Sequence, residues 1–207
     1  MPNLSTKDLA NLEKVIGENY KKWSTHSITN TTKVLLSFGS RSGGIQYVFS
    51  LREQIMQKAQ ITDKYEVYID AKSNIEHPST YFETRHGTTI PLNPLWQELY
   101  MNAVKHCKCM IFVVTEEWAK SNWCINEFIW WRNLAHKSAE RTPIITLIFQ
   151  DAVSLLGNTT IVAHGTSKVS GRNRLKIVDK NSHPIAPTDC TPEVDWIMEQ
   201  LKELNIY

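Results

Sequence analysis

Residues 110–134 read M-I-F-V-V-T-E-E-W-A-K-S-N-W-C-I-N-E-F-I-W-W-R-N-L, and they contain two different hydrophobic patterns. The first five residues are an unbroken apolar run, which is typical of a strand buried on both faces of a parallel sheet. The remainder turns polar and then has a helical period. One apolar stripe recurs there at steps of four, three and four residues and consists of Cys124, Phe128, Trp131 and Ala135. A buried strand followed directly by a helix indicates an α/β fold.

Three other apolar runs have the length of buried strands, and they alternate with helical patterns along the chain. The predicted strands are residues 33–38, 65–70, 109–115 and 143–149. Besides the helix after Thr115, the predicted helices are residues 45–60, 94–106, 151–156 and 191–206, the last with Thr191 as its cap. Strands that alternate with helices at this spacing predict a parallel sheet with helices on both faces.

An amphipathic helical pattern at residues 5–23 comes before this alternation begins. We therefore predict an N-terminal helix and linker over residues 1–30. One α/β domain is predicted over residues 31–207, with an irregular insertion around residues 157–187.

Two segments inside the predicted domain do not fit the alternation. Residues 71–92 lack a sustained apolar pattern and are expected to form a long loop. Residues 159–163 and 174–178 are β-prone and lie on either side of a glycine-containing polar segment, so a short strand pair or hairpin is expected.

The composition gives no indication of a membrane or a nucleic-acid partner. The chain has 207 residues, with 23 Lys and Arg against 21 Asp and Glu, so its formal net charge is only +2. The start, M-P-N-L-S-T-K-D-L, lacks the apolar run of a secretory signal. No stretch approaches the roughly 18 to 20 apolar residues of a membrane span. We expect a cytoplasmic protein that binds neither membrane nor nucleic acid.

The four cysteines do not have the spacing of a metal site. The string His106-Cys107-Lys108-Cys109 is not C-x2-C, and no second pair of ligands follows at the distance found in zinc fingers. We therefore expect no metal, reduced thiols in a cytosolic chain, and Cys109 as the opening residue of a buried strand.

Polar and aromatic residues lie where the predicted strands end. The carboxyl ends of parallel strands meet at one edge of a sheet, and ligands bind there in open α/β folds. The residues expected at this edge are Ser37, Phe38, Arg41 in the glycine-rich turn G-S-R-S-G-G, Asp70, and the segment 118–127.

Glu127 is the residue of this group that is best placed for chemistry. It lies one residue before Phe128, at the edge of the apolar stripe, and the indoles of Trp123, Trp130 and Trp131 are close enough along the helix to cover it. The alternative is that Glu127 is a solvated surface residue, as most glutamates on amphipathic helices are.

Three segments resemble the motifs of the TIR domain family. V-L-L-S-F at 34–38 looks like the family's V-F-I-S-Y/F box, and Y-E-V-Y-I-D at 65–70 is similar to its V-F-x-D box. Residues 113–128 closely match a hydrophobic strand followed by S-x-x-Y/W-x-x-S-x-W-C-x-x-E-F/L. The residues in register are Trp118, Ser121, Trp123, Cys124 and Glu127. The resemblance covers about residues 32–150.

The resemblance implies a flavodoxin-like sheet of about five parallel strands and, for many family members, cleavage of NAD at the nicotinamide–ribose bond. NAD is then a substrate, and no cofactor is expected. The family's catalytic glutamate is the last residue of W-C-x-x-E, which corresponds to Glu127. The residues expected to bind the substrate are Ser37, Phe38, Arg41, Asp70, Trp118, Ser121 and Trp123.

The products implied by the resemblance are ADP-ribose, a cyclic isomer of ADP-ribose or an ADP-ribose conjugate. Stand-alone bacterial members often make such a nucleotide as an antiphage signal for a separate effector. Many relatives are active only when assembled, so contacts between copies of the chain are expected.

Two other functions stay open at this point. A non-catalytic TIR module would assemble through the same surfaces, although the loop after Asp70 lacks the R-D-x-x-P-G string of animal receptor adaptors and carries Tyr81, Phe82, Arg85 and His86 instead. A flavodoxin-like deoxyribosyltransferase would also use a glutamate at a ribose carbon.

Overall fold

A central parallel sheet and the helices on its two faces account for most of the residues that the structure describes. This computed structural model describes residues 31–39, 44–69, 80–83, 89–92, 96–135, 142–156, 172–183 and 185–207. The strands are β1 (Val34–Phe38), β2 (Val67–Tyr68), β3 (Thr80–Glu83), β4 (Thr89–Leu92), β5 (Cys109–Val114), β6 (Ile144–Phe149) and β7 (Arg174–Val178). The helices are α1 (Gly44–Lys58), α2 (Trp96–His106), α3 (Glu116–Lys120), α4 (Asn122–Ala135), α5 (Gln150–Leu156) and α6 (Thr191–Glu203).

Five of the strands form one sheet in the order β2-β1-β5-β6-β7, and every neighbouring pair is parallel. The first two strands of the chain are therefore on one side of the sheet and the later three follow in sequence, which is the flavodoxin-like order. Every residue of β1, β5 and β6 is buried, as expected for apolar runs at the centre of a parallel sheet. The predicted fold class is confirmed.

Each face of the sheet has its own hydrophobic core, as the prediction of helices on both faces requires. On one face, α1 and α6 cover the sheet with side chains such as Leu51 and Ile197. On the other face, α2, α3, α4 and α5 cover it with residues that include Trp118 and Phe128. Neighbouring residues of a strand point to opposite faces, so Ser37 and Phe38 at the end of β1 belong to different sides.

The last strand of the sheet was predicted as a strand but not as part of the main sheet. We expected Arg174–Val178 to form a short strand pair or hairpin with residues 159–163, and it is a strand that pairs in parallel with β6. Residues 159–163 lie outside the described part. The pattern was misleading because Arg174 and Lys176 occupy an edge strand, where their long side chains reach α6.

Two further expectations need correction. The segment 71–92 contains an antiparallel hairpin of β3 and β4 and is not only a loop. Each of these strands has four residues, too few for a clear alternation of polar and apolar residues. Thr191 is the first residue of α6 and not its cap, because a 3₁₀ turn over Pro187–Cys190 leads directly into the helix.

The predicted N-terminal helix, residues 5–23, lies outside the described residues, so this interpretation stays a prediction. Among the helices of the described segments, none is long and apolar enough to cross a membrane.

Burial of the thiols should make the stability of the fold depend on alkaline pH. Burial raises the pKa of the Cys107 thiol from 9.0 to about 12, and it also raises the pKa of Cys109. Above pH 9 the unfolded chain therefore loses thiol protons that the folded chain keeps. The free energy of unfolding should be constant up to about pH 8 and then fall, by up to about 1.4 kcal/mol per pH unit for each such thiol.

Urea unfolding at a series of pH values between 7 and 10 measures this effect. Cys107→Ala should fall less steeply with pH than wild type, whatever its stability at pH 7. Equal slopes for the two proteins would contradict the assignment to Cys107.

Candidate active site

The site begins at the carboxyl ends of β1 and β5, where the short helix α3 follows β5 and leads into α4. Thr115 directly follows β5 and caps α3, because its side chain accepts a hydrogen bond from the backbone N–H of Trp118 at 3.1 Å. Ser121 ends α3, and its hydroxyl accepts from the backbone N–H of Cys124 at 3.4 Å, which caps α4. These two caps set the positions of Trp118 and of the first turns of α4, on which Glu127 lies.

Glu127 is buried against the end of β1. Its carboxylate oxygen Oε2 accepts a hydrogen bond from the Ser37 hydroxyl at 2.5 Å, and the Ser37 oxygen accepts one from the indole Nε1–H of Trp118 at 2.9 Å. The exposed fractions are 6% for Glu127, 1% for Ser37 and 0% for Trp118. The interpretation of Glu127 as a solvated surface residue is therefore wrong, and the carboxylate is held in a fixed place.

A second contact joins α4 to β1 beside this carboxylate. The thiol of Cys124 donates to the backbone carbonyl oxygen of Phe38 at 3.4 Å. Cys124 lies one helical turn before Glu127, on the same side of the helix. The cysteine and the glutamate of the W-C-x-x-E string therefore both contact β1. We did not predict Cys124 as a site residue, although its place in the motif was the indication that could have identified it.

An aromatic cluster holds this part of α4 on the sheet. Phe112, which is paired with Ser37 across β1 and β5, makes edge-to-face contacts with Trp118, Phe128 and Trp131. The ring centroids are 5.8, 5.6 and 6.4 Å apart, within the range of favourable aromatic pairs. These ring contacts pack α4, the helix that carries Glu127, against the sheet.

The other predicted site residues are placed as follows. Ser121 acts as the helix cap described above. Phe38 is 8% exposed and packs in the core on the opposite face of the sheet from Ser37. Trp123 is half-buried. Arg41 and Asp70 lie outside the described residues. Substrate contacts by these five residues stay predictions.

Trp118 differs from its expected role in one respect. We expected it to contact the substrate, but this indole has no exposed surface and its polar atom is bonded to Ser37. In this conformation its ring faces are occupied by protein. Among the residues that the structure describes, no group of three or more His, Cys, Asp or Glu side chains could hold a metal ion.

Gly39 follows β1 and lies against the backbone of α3. A Cβ atom at this position would come within 2.9 Å of the backbone nitrogen of Trp118, and the chain on that side is capped and cannot shift freely. We expect Gly39→Ala to lower the free energy of unfolding by about 1–3 kcal/mol, the usual cost of overpacking. Urea denaturation measures the change.

Gly44→Ala provides the comparison for this prediction. Its Cβ would meet the carbonyl oxygen of Gly39 at 2.4 Å, so its cost should be at least as large. If both variants have the free energy of unfolding of wild type, the close contacts of Gly39 with α3 and with Gly44 are not as described.

The sequence is similar to a known protein. It is 26% identical over 196 residues to the 3' cyclic ADP-D-ribose synthase HopAM1 of Pseudomonas syringae pv. tomato. The match covers 86% of this chain, and the chain spans 66% of the length of that relative. No family model matches the sequence, and no solved structure matches it. The similarity to HopAM1 supports a TIR-like family for this chain.

Proposed function

We propose that this protein cleaves NAD at the nicotinamide–ribose bond and converts the ADP-ribosyl part into a cyclic ADP-ribose. The observation that carries the proposal is the buried Glu127, held by Ser37 at the carboxyl edge of a flavodoxin-like sheet. The similarity to a cyclic ADP-D-ribose synthase over 86% of the chain supports the product class.

The proposed reaction needs a single carboxylate. The C–N bond between ribose and nicotinamide breaks, and its electron pair leaves with the nicotinamide nitrogen, which becomes neutral. Positive charge develops on the ribose, and a buried carboxylate beside it stabilises that charge. A hydroxyl of the same molecule then bonds to the ribose carbon and releases its proton, which gives a cyclic product. If water enters instead, the product is ADP-ribose, and another nucleophile gives a conjugate.

The shielding of Glu127 supports this chemistry. The Coulomb interaction between a carboxylate and a developing cation is stronger where water is excluded. Glu127 is 6% exposed, and its carboxylate is bonded to the buried Ser37. Its fixed orientation also means that little reorganisation is needed when the ribose charge forms.

The biological setting is proposed from the resemblance to TIR domains alone. We propose that the cyclic product is an immune signal read by a separate effector, as in antiphage systems, and that the active form is an assembly of several copies of this chain. The cytoplasmic location stays a prediction.

Nicotinamide release from NAD tests the proposal against its two alternatives. Concentrated protein, alone and with cell lysate as a source of activators, is incubated with NAD, and nicotinamide is measured with time. We expect release that free deoxynucleosides inhibit only weakly. Efficient exchange of bases between deoxynucleosides would indicate a deoxyribosyltransferase. Intact NAD in every condition, including with assembled protein, would favour the non-catalytic interaction module.

A further inference from the structure

We propose that Trp118 and Ser37 are positioning residues that hold Glu127 for the reaction through a chain of two hydrogen bonds, and that neither of them needs to touch the substrate. The inference rests on the proposed function. It gives both residues a different role from the substrate contact that the resemblance implies.

The direction of the chain follows from the chemistry of its three groups. An indole N–H can only donate, so the Ser37 oxygen must accept from Trp118. A hydroxyl has one proton, and at 2.5 Å from Oε2 of Glu127 that proton lies on the line to the carboxylate. An ionised carboxylate only accepts. Each donor therefore meets one acceptor, and the chain runs from Trp118 through Ser37 to Glu127.

Trp118 determines which way the serine hydroxyl points. A serine in a strand can turn its proton to a nearby backbone carbonyl instead of a side chain. With the indole N–H directed at its oxygen, the hydroxyl of Ser37 keeps the orientation in which it donates to Glu127. Because hydrogen bonds in series polarise one another, the bond to the carboxylate is also strengthened.

The anchor of this chain is rigid. Trp118 has no exposed surface, its backbone N–H is held by Thr115, and its ring packs on Phe112. Ser37 lies in β1, which is paired on both sides within the sheet. The position of the Glu127 carboxylate is therefore fixed relative to the sheet and not only relative to its own helix. Active sites lose activity when such support is loosened by about half an ångström.

A pair of variants removes one hydrogen-bonding group each. Ser37→Ala deletes the hydroxyl, and Trp118→Phe deletes the indole N–H but keeps an aromatic ring. We expect kcat for nicotinamide release to fall about 10- to 100-fold in each, as for other residues that orient a reacting group, while KM for NAD changes less than about threefold. In the Glu127→Gln background, neither substitution should lower the residual rate further.

Two matched controls separate positioning from packing. Thr146 is a buried hydroxyl on β6 in the same row of paired residues as Ser37 and Phe112, and its hydroxyl has no hydrogen-bond partner among the described residues. Trp131 also packs on Phe112, but its indole N–H donates to the backbone oxygen of Thr142. Thr146→Val and Trp131→Phe should leave kcat within about threefold of wild type.

A spectroscopic measurement tests the chain of hydrogen bonds without relying on activity. The seven tryptophans give seven indole N–H signals in a nitrogen-15 NMR spectrum, and Trp118→Phe identifies the one that belongs to Trp118. This signal should move in Ser37→Ala and also in Glu127→Gln, because the hydroxyl relays the change of charge. The signal of Trp131 should move in neither variant.

The outcomes distinguish this inference from the proposed function. Wild-type turnover that depends on Glu127 but survives Ser37→Ala and Trp118→Phe overturns the positioning role and leaves the proposed function standing. A Trp118 signal that moves in neither Ser37→Ala nor Glu127→Gln would overturn the proposed chain of hydrogen bonds. An inactive wild type with a responsive Trp118 signal overturns the proposed function, and with it the catalytic role of the chain. Equal losses of kcat in the two controls would show a packing effect and would also overturn the inference.

Discussion

Glu127→Gln should reduce the rate of nicotinamide release from NAD by about a thousandfold while the protein stays folded. The substitution keeps the shape of the side chain and removes the negative charge that stabilises the ribose cation in the proposed reaction. Losses of this size, about 10²–10³ in kcat, are typical when one preorganised electrostatic group is removed from an active site. Steady-state kinetics of nicotinamide release measure the loss, and circular dichroism checks the fold.

Glu116→Gln is the matched control for this variant. Glu116 lies on α3 at the same edge of the sheet, but its side chain is 38% exposed and forms an ion pair with Lys120 one turn along the helix. Its replacement should leave the rate within about twofold, since exposed ion pairs contribute little. A Glu127→Gln enzyme that retains wild-type turnover would remove Glu127 from the reaction, whatever the substrate.

Lys180→Met should lower the free energy of unfolding by about 2–3 kcal/mol. Lys180 forms an ion pair with Glu193 at 2.9 Å, and the same carboxylate oxygen accepts a hydrogen bond from the Tyr47 hydroxyl at 3.0 Å. Glu193 is 4% exposed, so removal of the lysine leaves a buried negative charge without its cation. Breaking one side of a buried pair costs about 3–5 kcal/mol, and the 27% exposure of Lys180 reduces this figure.

The tyrosine cannot take the place of the lysine. Burial, and then the neighbouring charge of Glu193, raise the pKa of Tyr47, so its phenol stays protonated and donates a neutral hydrogen bond. Glu193→Gln added to Lys180→Met should recover part of the lost stability, because the unpaired charge is then removed as well.

An exposed ion pair on the same helix provides the control. Lys58 on α1 forms an ion pair with Asp195 on α6, and these side chains are 42% and 59% exposed. Lys58→Met should cost no more than about 0.5 kcal/mol in the same urea titration. Similar losses for Lys58→Met and Lys180→Met would mean that burial of the Glu193 carboxylate does not determine the energy of this contact.

The central strands could be predicted because each is buried on both faces. The runs at 109–115 and 143–149 are almost entirely apolar, and the structure places them as β5 and β6 in the middle of the sheet. The place of β7 in the sheet could not be predicted in the same way. One of its faces carries Arg174 and Lys176, which interact with α6, so its sequence pattern depends on a neighbour that is distant along the chain.

The same distinction applies to the site. Glu127 and Ser37 are 90 positions apart. Their proximity could be predicted because Ser37 lies near the carboxyl end of β1, and Glu127 lies in the helical segment that follows the carboxyl end of β5. The complete burial of Trp118 could not be predicted, since a motif gives the position of an indole but not whether its ring faces solvent. The placement of Phe38 on the opposite face from Ser37 was available from strand alternation alone.

Mass spectrometry of the products of NAD, after incubation with wild type and with Glu127→Gln at the same concentration, tests the proposed activity most directly. We predict that wild type alone converts NAD to nicotinamide and an ADP-ribosyl product one water lighter than ADP-ribose, as cyclisation requires. NAD that stays intact with wild type, or disappears equally fast with Glu127→Gln, would contradict a Glu127-dependent NAD-cleaving enzyme.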